Sequence, residues 1–284
     1  MPRAPQVISR QAETKRPAAQ HLDLIDRMGT EIHPDDPKLE EWFSRYLRQH
    51  RRRLALDLDM ITQEANTEAS VLEYGAIPLL LTGALAALGY RISAVDLDPR
   101  RFAATIAALG LDVRRCDVEA EAVPFEAETF DVVLFNELLE HLRMNPIFTL
   151  GEVHRVLKPG GALLLSTPNL RSFRGIRNLL VRNQGHAVSP GIYEQYEKLE
   201  TLGHMGHVRE YTTTEVSDLL SRIGFRVDKI VFRGGHGRGV VGVAERLAPS
   251  WRPFFTLRAL KSDPPQAVAE AQPRAAGNDR LDPP

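Results

Sequence analysis

Between residues 70 and 168 short apolar runs alternate with helical segments, and this alternation restricts the possible folds more than any other feature of the chain. The runs are SVLEYG, RISAVD, DVRRCD, FDVVLF and ALLLSTP. Two of the intervening helices should stop at Gly89 and Gly110, residues suited to a left-handed C-cap. Strand, helix, strand in this order predicts a parallel sheet covered on both faces. Lys158-Pro159-Gly160-Gly161 ends a further helix and returns the chain to the sheet. Thr212-Thr213-Thr214-Glu215 matches a capping box for a helix running to Gly224. Strands near residues 226–233 and 253–260 complete the core, and no internal repeat is present.

The flanks read differently. Residues 1–20 and 262–284 mix Pro, Ala and charge without periodicity and are expected to be disordered tails around a helical cap (21–66) and an α/β domain (67–261). Leu39, Trp42, Phe43, Tyr46, Leu47, Leu54, Leu58 and Ile61 recur at helical spacings, which predicts an amphipathic helix. Arg48, Arg51, Arg52 and Arg53 lie among Glu40, Glu41, Asp57 and Asp59, so they read as a solvated face rather than a phosphate patch. Residues 171–206 form an excursion too long for an ordinary connection, placed after a strand's carboxyl end, where binding segments occur. Its Ile192, Tyr193, Tyr196 and Leu199 either line a substrate pocket or pack the excursion onto the sheet.

Composition narrows the function classes. With 36 Lys plus Arg against 37 Asp plus Glu, the formal net charge is −1, and no basic field favours nucleic acid as a partner. Cys116 is the only cysteine, so an intrachain disulfide is impossible. No apolar stretch reaches the roughly 18–20 residues of a bilayer span. These features, with no signal-peptide pattern near Met1, lead to the expectation of a soluble protein in the cytoplasm.

In open parallel sheets ligands sit outside the carboxyl ends of the strands, which directs attention to Glu73-Tyr74-Gly75-Ala76-Ile77-Pro78-Leu79-Leu80. A dinucleotide fingerprint starting at Gly75 needs glycines at 77 and 80, where the chain has Ile77 and Leu80. Pro78 also removes an amide donor from the helix start, so a pyrophosphate ligand and a nicotinamide-dependent reaction are disfavoured. Asp96, about twenty residues beyond Gly75, is spaced either to accept both hydroxyls of a ribose or to cap the helix starting at Pro99. Asp98 is the stronger candidate for that cap.

The ordered segments VLEYGAIPLLLTGALAALGYRISAVDLDP, CDVEAEAVPFEAETFDVVLFNELLEHL and EVHRVLKPGGALLLSTPN resemble the class I S-adenosylmethionine-dependent methyltransferases, in particular the small-molecule, glycan and lipid-linked branch. The resemblance implies a Rossmann-like, doubly wound seven-stranded sheet, mostly parallel with an antiparallel last strand, beneath the N-terminal helical cap. It implies S-adenosylmethionine as the cofactor, with Glu73 and Gly75 at its methionine end and Asp96 on its ribose. Asp117 falls at its adenine amino group, Val118 beside the ring and Asn136 at the pocket floor. The family's glycine-rich turn keeps only Gly75, with Ile77 and Leu79 at the other two glycine positions. These bulky residues motivate a rival reading, a non-catalytic relative that uses the fold as an interaction module.

Methyl transfer from a sulfonium depends chiefly on positioning the acceptor. For a hydroxyl acceptor a histidine is a suitable base, and His141 follows the strand end where the methyl group belongs. His141 could equally be a surface or capping residue. In the resembling families the stretch containing His207, Arg209 and Tyr211 enters the acceptor pocket, so His207 and Tyr211 join His141 as catalytic candidates. His204 and His207 have a metal-like spacing, but no third ligand is tied to them by sequence and no metal is expected. The GGHGRGVVG stretch lacks a P-loop ending and reads as a connector. Cys116 has no identifiable base and reads as a structural thiol. The acceptor and the oligomeric state are not legible.

Overall fold

The computed structural model describes residues 8–12, 16–189, 191–202, 206–235 and 239–262. Among the described residues eight strands form one sheet: β1 (Ser9–Ala12), β2 (Ser70–Tyr74), β3 (Arg91–Asp96), β4 (Asp112–Arg115), β5 (Phe130–Asn136), β6 (Leu157–Pro168), β7 (Phe225–Arg233) and β8 (Phe254–Lys261). Their order is β1-β7-β8-β6-β5-β2-β3-β4. All adjacent pairs are parallel except the two made by β8, which runs antiparallel to β6 and β7. The expected sheet is therefore present with its antiparallel last strand, and an eighth strand is added at the edge.

That addition corrects the expected N-terminal tail. Ser9 to Ala12 pair with Lys229 to Phe232, and the helix α1 (Ala19–Glu31) also begins inside the segment read as a tail. The remaining residues of the two expected tails, apart from 8, 16–20 and 262, lie outside the described residues.

Period-two side-chain alternation distributes β2 over two cores. Val71 packs on the layer made by α1, α2 (Glu40–Glu64) and α3 (Leu80–Ala87), with Ile25, Met28, Phe43, Leu58 and Leu85. Leu72 and Tyr74 face the opposite layer, where α5 (Pro146–Val156) and α8 (Thr213–Ile223) bring Val153, Val216 and Leu220. The amphipathic stripe read from residue 39 onward is the buried face of α2. The helix α4 (Ala103–Leu109) ends on Gly110 in the left-handed region, and Gly224 ends α8, where Thr212 and Glu215 form the expected capping box. The excursion folds into α6 (Phe173–Arg182) and α7 (Ile192–Leu202). Among the described residues no helix is long and apolar enough to cross a membrane.

Candidate functional site

The site begins at the turn after β2. Gly75 has φ +72°, and a Cβ there would meet Leu138 Cδ1 at 3.4 Å, so the turn fits closely against the loop after β5. Leu79 also adopts a left-handed conformation, φ +68°, which a glycine would take more easily. Its side chain is fully buried in the α1–α2–α3 core. Leu79 therefore leaves the cleft clear, and the observation behind the interaction-module reading is removed for that residue. Ile77 is half-buried and does line the cleft.

This cleft opens to solvent between Glu73, Gly75, Ile77, Asn136 and the helix α2. Three expected cofactor residues, Glu73, Gly75 and Asn136, thus share one wall. Glu73 is buried and accepts a hydrogen bond from the Thr82 hydroxyl at 2.5 Å. Burial pushes its carboxyl up to about 8, against the opposing effect of the Thr82 hydrogen bond.

Asp96 lies just behind this wall. Its Oδ2 accepts the Ile77 amide and its Oδ1 the Asp98 amide, both at 3.0 Å. Burial raises its carboxyl pKa, and these two amides oppose the rise. A carboxylate has about four acceptor positions, so acceptor capacity for ribose hydroxyls is left. Asp98 makes no side-chain cap, contrary to expectation, and pairs with Arg100 at 2.8 Å. Beyond β4 the Cys116 amide donates to the Asp96 carbonyl at 2.9 Å, which sets Asp117 and Val118 beside the same strand end, although neither lines the cleft. Cys116 is buried and its thiol is pushed up to about 11 by burial, in keeping with a structural role.

Sequence reasoning missed the helix wall. Tyr46, Arg53 and Asp57 of α2 all face the cleft. Arg51 behaves as expected and pairs with Asp26 across the surface. Arg53 does not: its side chain is only 16% exposed, it donates to the Tyr46 hydroxyl at 2.9 Å, and its Nε has no hydrogen-bond partner among the described residues. Asp57 is buried against Arg233 at 2.5 Å. The available signal was Asp57 itself, three residues from Leu54 and four from Ile61, an acid on the apolar stripe.

The expected acceptor side starts at the loop after β5. Leu139–His141 form a short 3-10 turn in which Glu140 is fully buried. The Thr167 hydroxyl donates to Glu140 Oε2 at 2.8 Å, whereas Oε1 is buried with no hydrogen-bond partner among the described residues. Burial, followed by the negative charge of Glu137, raises the Glu140 carboxyl well above its ordinary value. The His141 and His207 rings meet edge to face, 4.9 Å between centroids. The Val208 amide donates to the Glu140 carbonyl at 2.7 Å and joins the two segments.

His207 is oriented from behind. Its Nδ1 lies 3.0 Å from Ser189 Oγ, and Ser189 donates to Glu210 Oε1 at 2.6 Å. Glu210 is buried and also accepts the amides of Ala187, Val188 and Ser189 at 2.5, 3.1 and 2.9 Å. Although burial works the other way, the hydrogen bonds from His207, Ser189 and the backbone hold its carboxyl down at about 2. Arg209 pairs with Glu215, not Glu210, and its guanidinium stands over the Tyr211 ring, 5.1 Å from the centroid. Tyr211 is half-buried against the core, and burial raises its phenol pKa.

Among the described residues Glu140, His141 and His207 each offer a ligand atom, all within 4.8 Å of one another. His204, the partner considered from sequence, lies outside the described residues, as do 236–238 of the GGHGRGVVG stretch, whose end enters α9 (Val240–Leu247). Tyr193 and Tyr196 are 77% and 55% exposed, so neither packs the excursion onto the sheet. The side chains of Ile192 and Leu199 are outside the described set.

A strand-end cleft with a buried acid thus lies beside a pair of histidines, on a sheet with one antiparallel strand. A methyltransferase domain profile matches residues 45–230, and the chain belongs to this methyltransferase family. A ubiquinone biosynthesis O-methyltransferase of Xanthomonas campestris pv. campestris is 36% identical over 106 residues, 36% of this chain and 44% of that protein. The chain thus spans less than half the length of this relative. A probable S-adenosylmethionine-dependent methyltransferase of Mycolicibacterium smegmatis is 29% identical over 167 residues, 57% of this chain and 53% of the relative. Two crystal structures share the fold. A SAM-dependent methyltransferase from Archaeoglobus fulgidus has a TM-score of 0.54 at 15% identity, covering 78% of this chain and all of that one. A SAM-dependent methyltransferase from Thermotoga maritima, titled a possible histamine N-methyltransferase, has 0.51 at 19%, covering 85% of this chain and 100% of that one.

Proposed function

We propose that the chain transfers a methyl group from S-adenosylmethionine to an oxygen of a small-molecule, glycan or lipid-linked acceptor. The observation that carries this reading is the junction of two surfaces at one strand end: the cleft wall of Glu73, Gly75 and Asn136 continues through Leu138 into the turn bearing His141.

The residues fit the cofactor. Arg53, with a buried and unpartnered Nε on the cleft wall, matches the carboxylate of a methionyl group. Glu73 matches its ammonium, which would draw the raised carboxyl back to its charged form. Asp96 serves the ribose, and Asp117 with Val118 the adenine. Bound there, S-adenosylmethionine supplies a methyl group on an already activated, neutral leaving sulfur. The protein's task is then to hold an acceptor oxygen in line and provide for its proton.

Two observations bear on the acceptor. The relative from Xanthomonas is named for an O-methylation in ubiquinone biosynthesis, which supports an oxygen acceptor on an apolar molecule. The excursion beside the site exposes Leu180 at 78% and Val181 at 77%, next to Arg174, Arg177 and Arg182 on the same helix. An apolar surface with a basic rim suits a lipid-linked acceptor presented at an anionic interface.

Calorimetric titration with S-adenosylmethionine and its demethylated product tests the cofactor half of the reading. Saturable binding that weakens in Arg53→Ala supports it, and no saturation at millimolar ligand overturns it. Methyl incorporation into hydroxylated quinone precursors, compared with amine acceptors of similar size, tests the choice of oxygen.

A further inference from the structure

We propose that Glu140, His141 and His207 bind a divalent transition-metal ion beside the cofactor cleft. Two imidazoles and one carboxylate select borderline ions such as zinc, cobalt and iron(II) over magnesium or calcium, which favour all-oxygen sites.

Four observations converge. The three ligand atoms lie within 4.8 Å of one another, although they come from two segments far apart in sequence. Glu140 Oε1 is buried without a hydrogen-bond partner among the described residues, while Oε2 is fixed by Thr167. Buried polar atoms are nearly always satisfied, so an orphaned carboxylate oxygen beside two imidazoles points to a ligand.

The third observation is the tautomer of His207. Ser189 gives its proton to Glu210 at 2.6 Å, so the Ser189 oxygen is left to accept from His207 Nδ1 at 3.0 Å. With Nδ1 protonated, Nε2 keeps its lone pair. A histidine backed through its other nitrogen by a carboxylate system is the usual arrangement for a metal ligand. Fourth, the two segments are locked in register by the Val208 amide on the Glu140 carbonyl and the His207 amide on Gln195 Oε1, at 2.7 and 2.9 Å. These contacts hold the two segments together without using the ligand atoms.

The role of the ion rests on the methyl-transfer reading. A metal-bound hydroxyl loses its proton more readily, as metal-bound water does. The acceptor hydroxyl coordinates and releases its proton to solvent. Its oxygen then forms the new bond to the methyl carbon as the carbon–sulfur bond breaks, with the electron pair remaining on sulfur. The alkoxide and sulfonium charges cancel. In this scheme His141 is a ligand and not the base.

The test is a cobalt titration of the full chain, first stripped with chelator and dialysed, read by visible d–d absorption. One equivalent should saturate, and zinc should displace it. Glu140→Gln, His141→Ala and His207→Ala should each weaken cobalt binding by at least about 10–100-fold, the scale of disturbing a metal's ligand shell. Calorimetry with S-adenosylhomocysteine on the same variants should still show a saturable cleft. If Glu140→Gln is unfolded by circular dichroism, the His207→Ala titration decides. Absence of saturable cobalt absorption in the parent, or unchanged affinity in the folded variants, overturns the proposal. Cobalt binding without S-adenosylhomocysteine binding would keep the metal site and defeat the methyl-transfer reading instead.

Discussion

The two walls of the site are held by different forces. The turn after β2 is fixed from below by apolar packing, with Leu79 and Leu80 driven into the α1–α2–α3 core. The His207 side is fixed from behind by one carboxylate, Glu210, which gathers three backbone amides and a hydroxyl. Packing is indifferent to pH and tolerates exchange of one apolar residue for another of similar volume. A hub made of one charge fails as a unit when that charge is removed.

The largest expected difference is therefore at Glu210. Glu210→Gln should cost about 3–5 kcal/mol of stability, because a neutral amide replaces a charged acceptor and leaves buried donors poorly paired. Urea unfolding measures this, and a cost below about 1 kcal/mol, the scale of a single ordinary hydrogen bond, would show that the His207 side has other support. The pH dependence has a definite sign. Glu210 is held at about 2 against an ordinary 4.5, so its contribution is full above 4.5 and is lost as pH falls from 4.5 toward 2.

Glu73, on the cleft wall, should show the opposite trend. Its carboxyl is raised from 4.5 to about 8, so the folded state binds the extra proton and stability falls as pH rises through that window. Glu73→Gln removes this dependence, and its melting temperature should gain on the parent between pH 5 and 8. Parallel curves for variant and parent would contradict the assignment.

Asp96→Ala should weaken binding of S-adenosylhomocysteine by roughly 1–3 kcal/mol, the scale of hydrogen bonds to a charged group. An unchanged dissociation constant would reduce Asp96 to its two amide contacts. The smallest effect is expected at Leu79. Replacing it with glycine relieves about 1–2 kcal/mol of left-handed strain and gives up about 2–3 kcal/mol of burial. The net is a loss of about 1 kcal/mol in chemical denaturation, and a net gain would show that backbone strain outweighs packing at this turn.

The same division explains what the sequence revealed. Strands β2, β3, β5 and β6 were legible because each carries an apolar run between glycine or helix boundaries, β4 (DVRR) by its place after Gly110, and the capping box at Thr212 is a local pattern. β1 was not, since SRQA has no apolar signal and owes its extended state to pairing with β7. The missing glycines were visible, but the left-handed Leu79 was not, because core burial overrides its backbone preference. Glu73, Gly75 and Asn136 came together as expected since strand order alone places them. The meeting of His141 with His207 was out of reach, because it depends on how the excursion folds back.

The short strand β1 has a further consequence. Lys229, Ile230, Val231 and Phe232 of β7 have their outward register occupied by the protein's own Ser9 to Ala12. A polypeptide starting after Ala12 would present that row of amides and carbonyls bare, open to any extended chain that drifts alongside. Ser9 to Ala12 thus replace the nine-residue β7 with a four-residue polar strand at one of the two borders of the sheet, the other being β4.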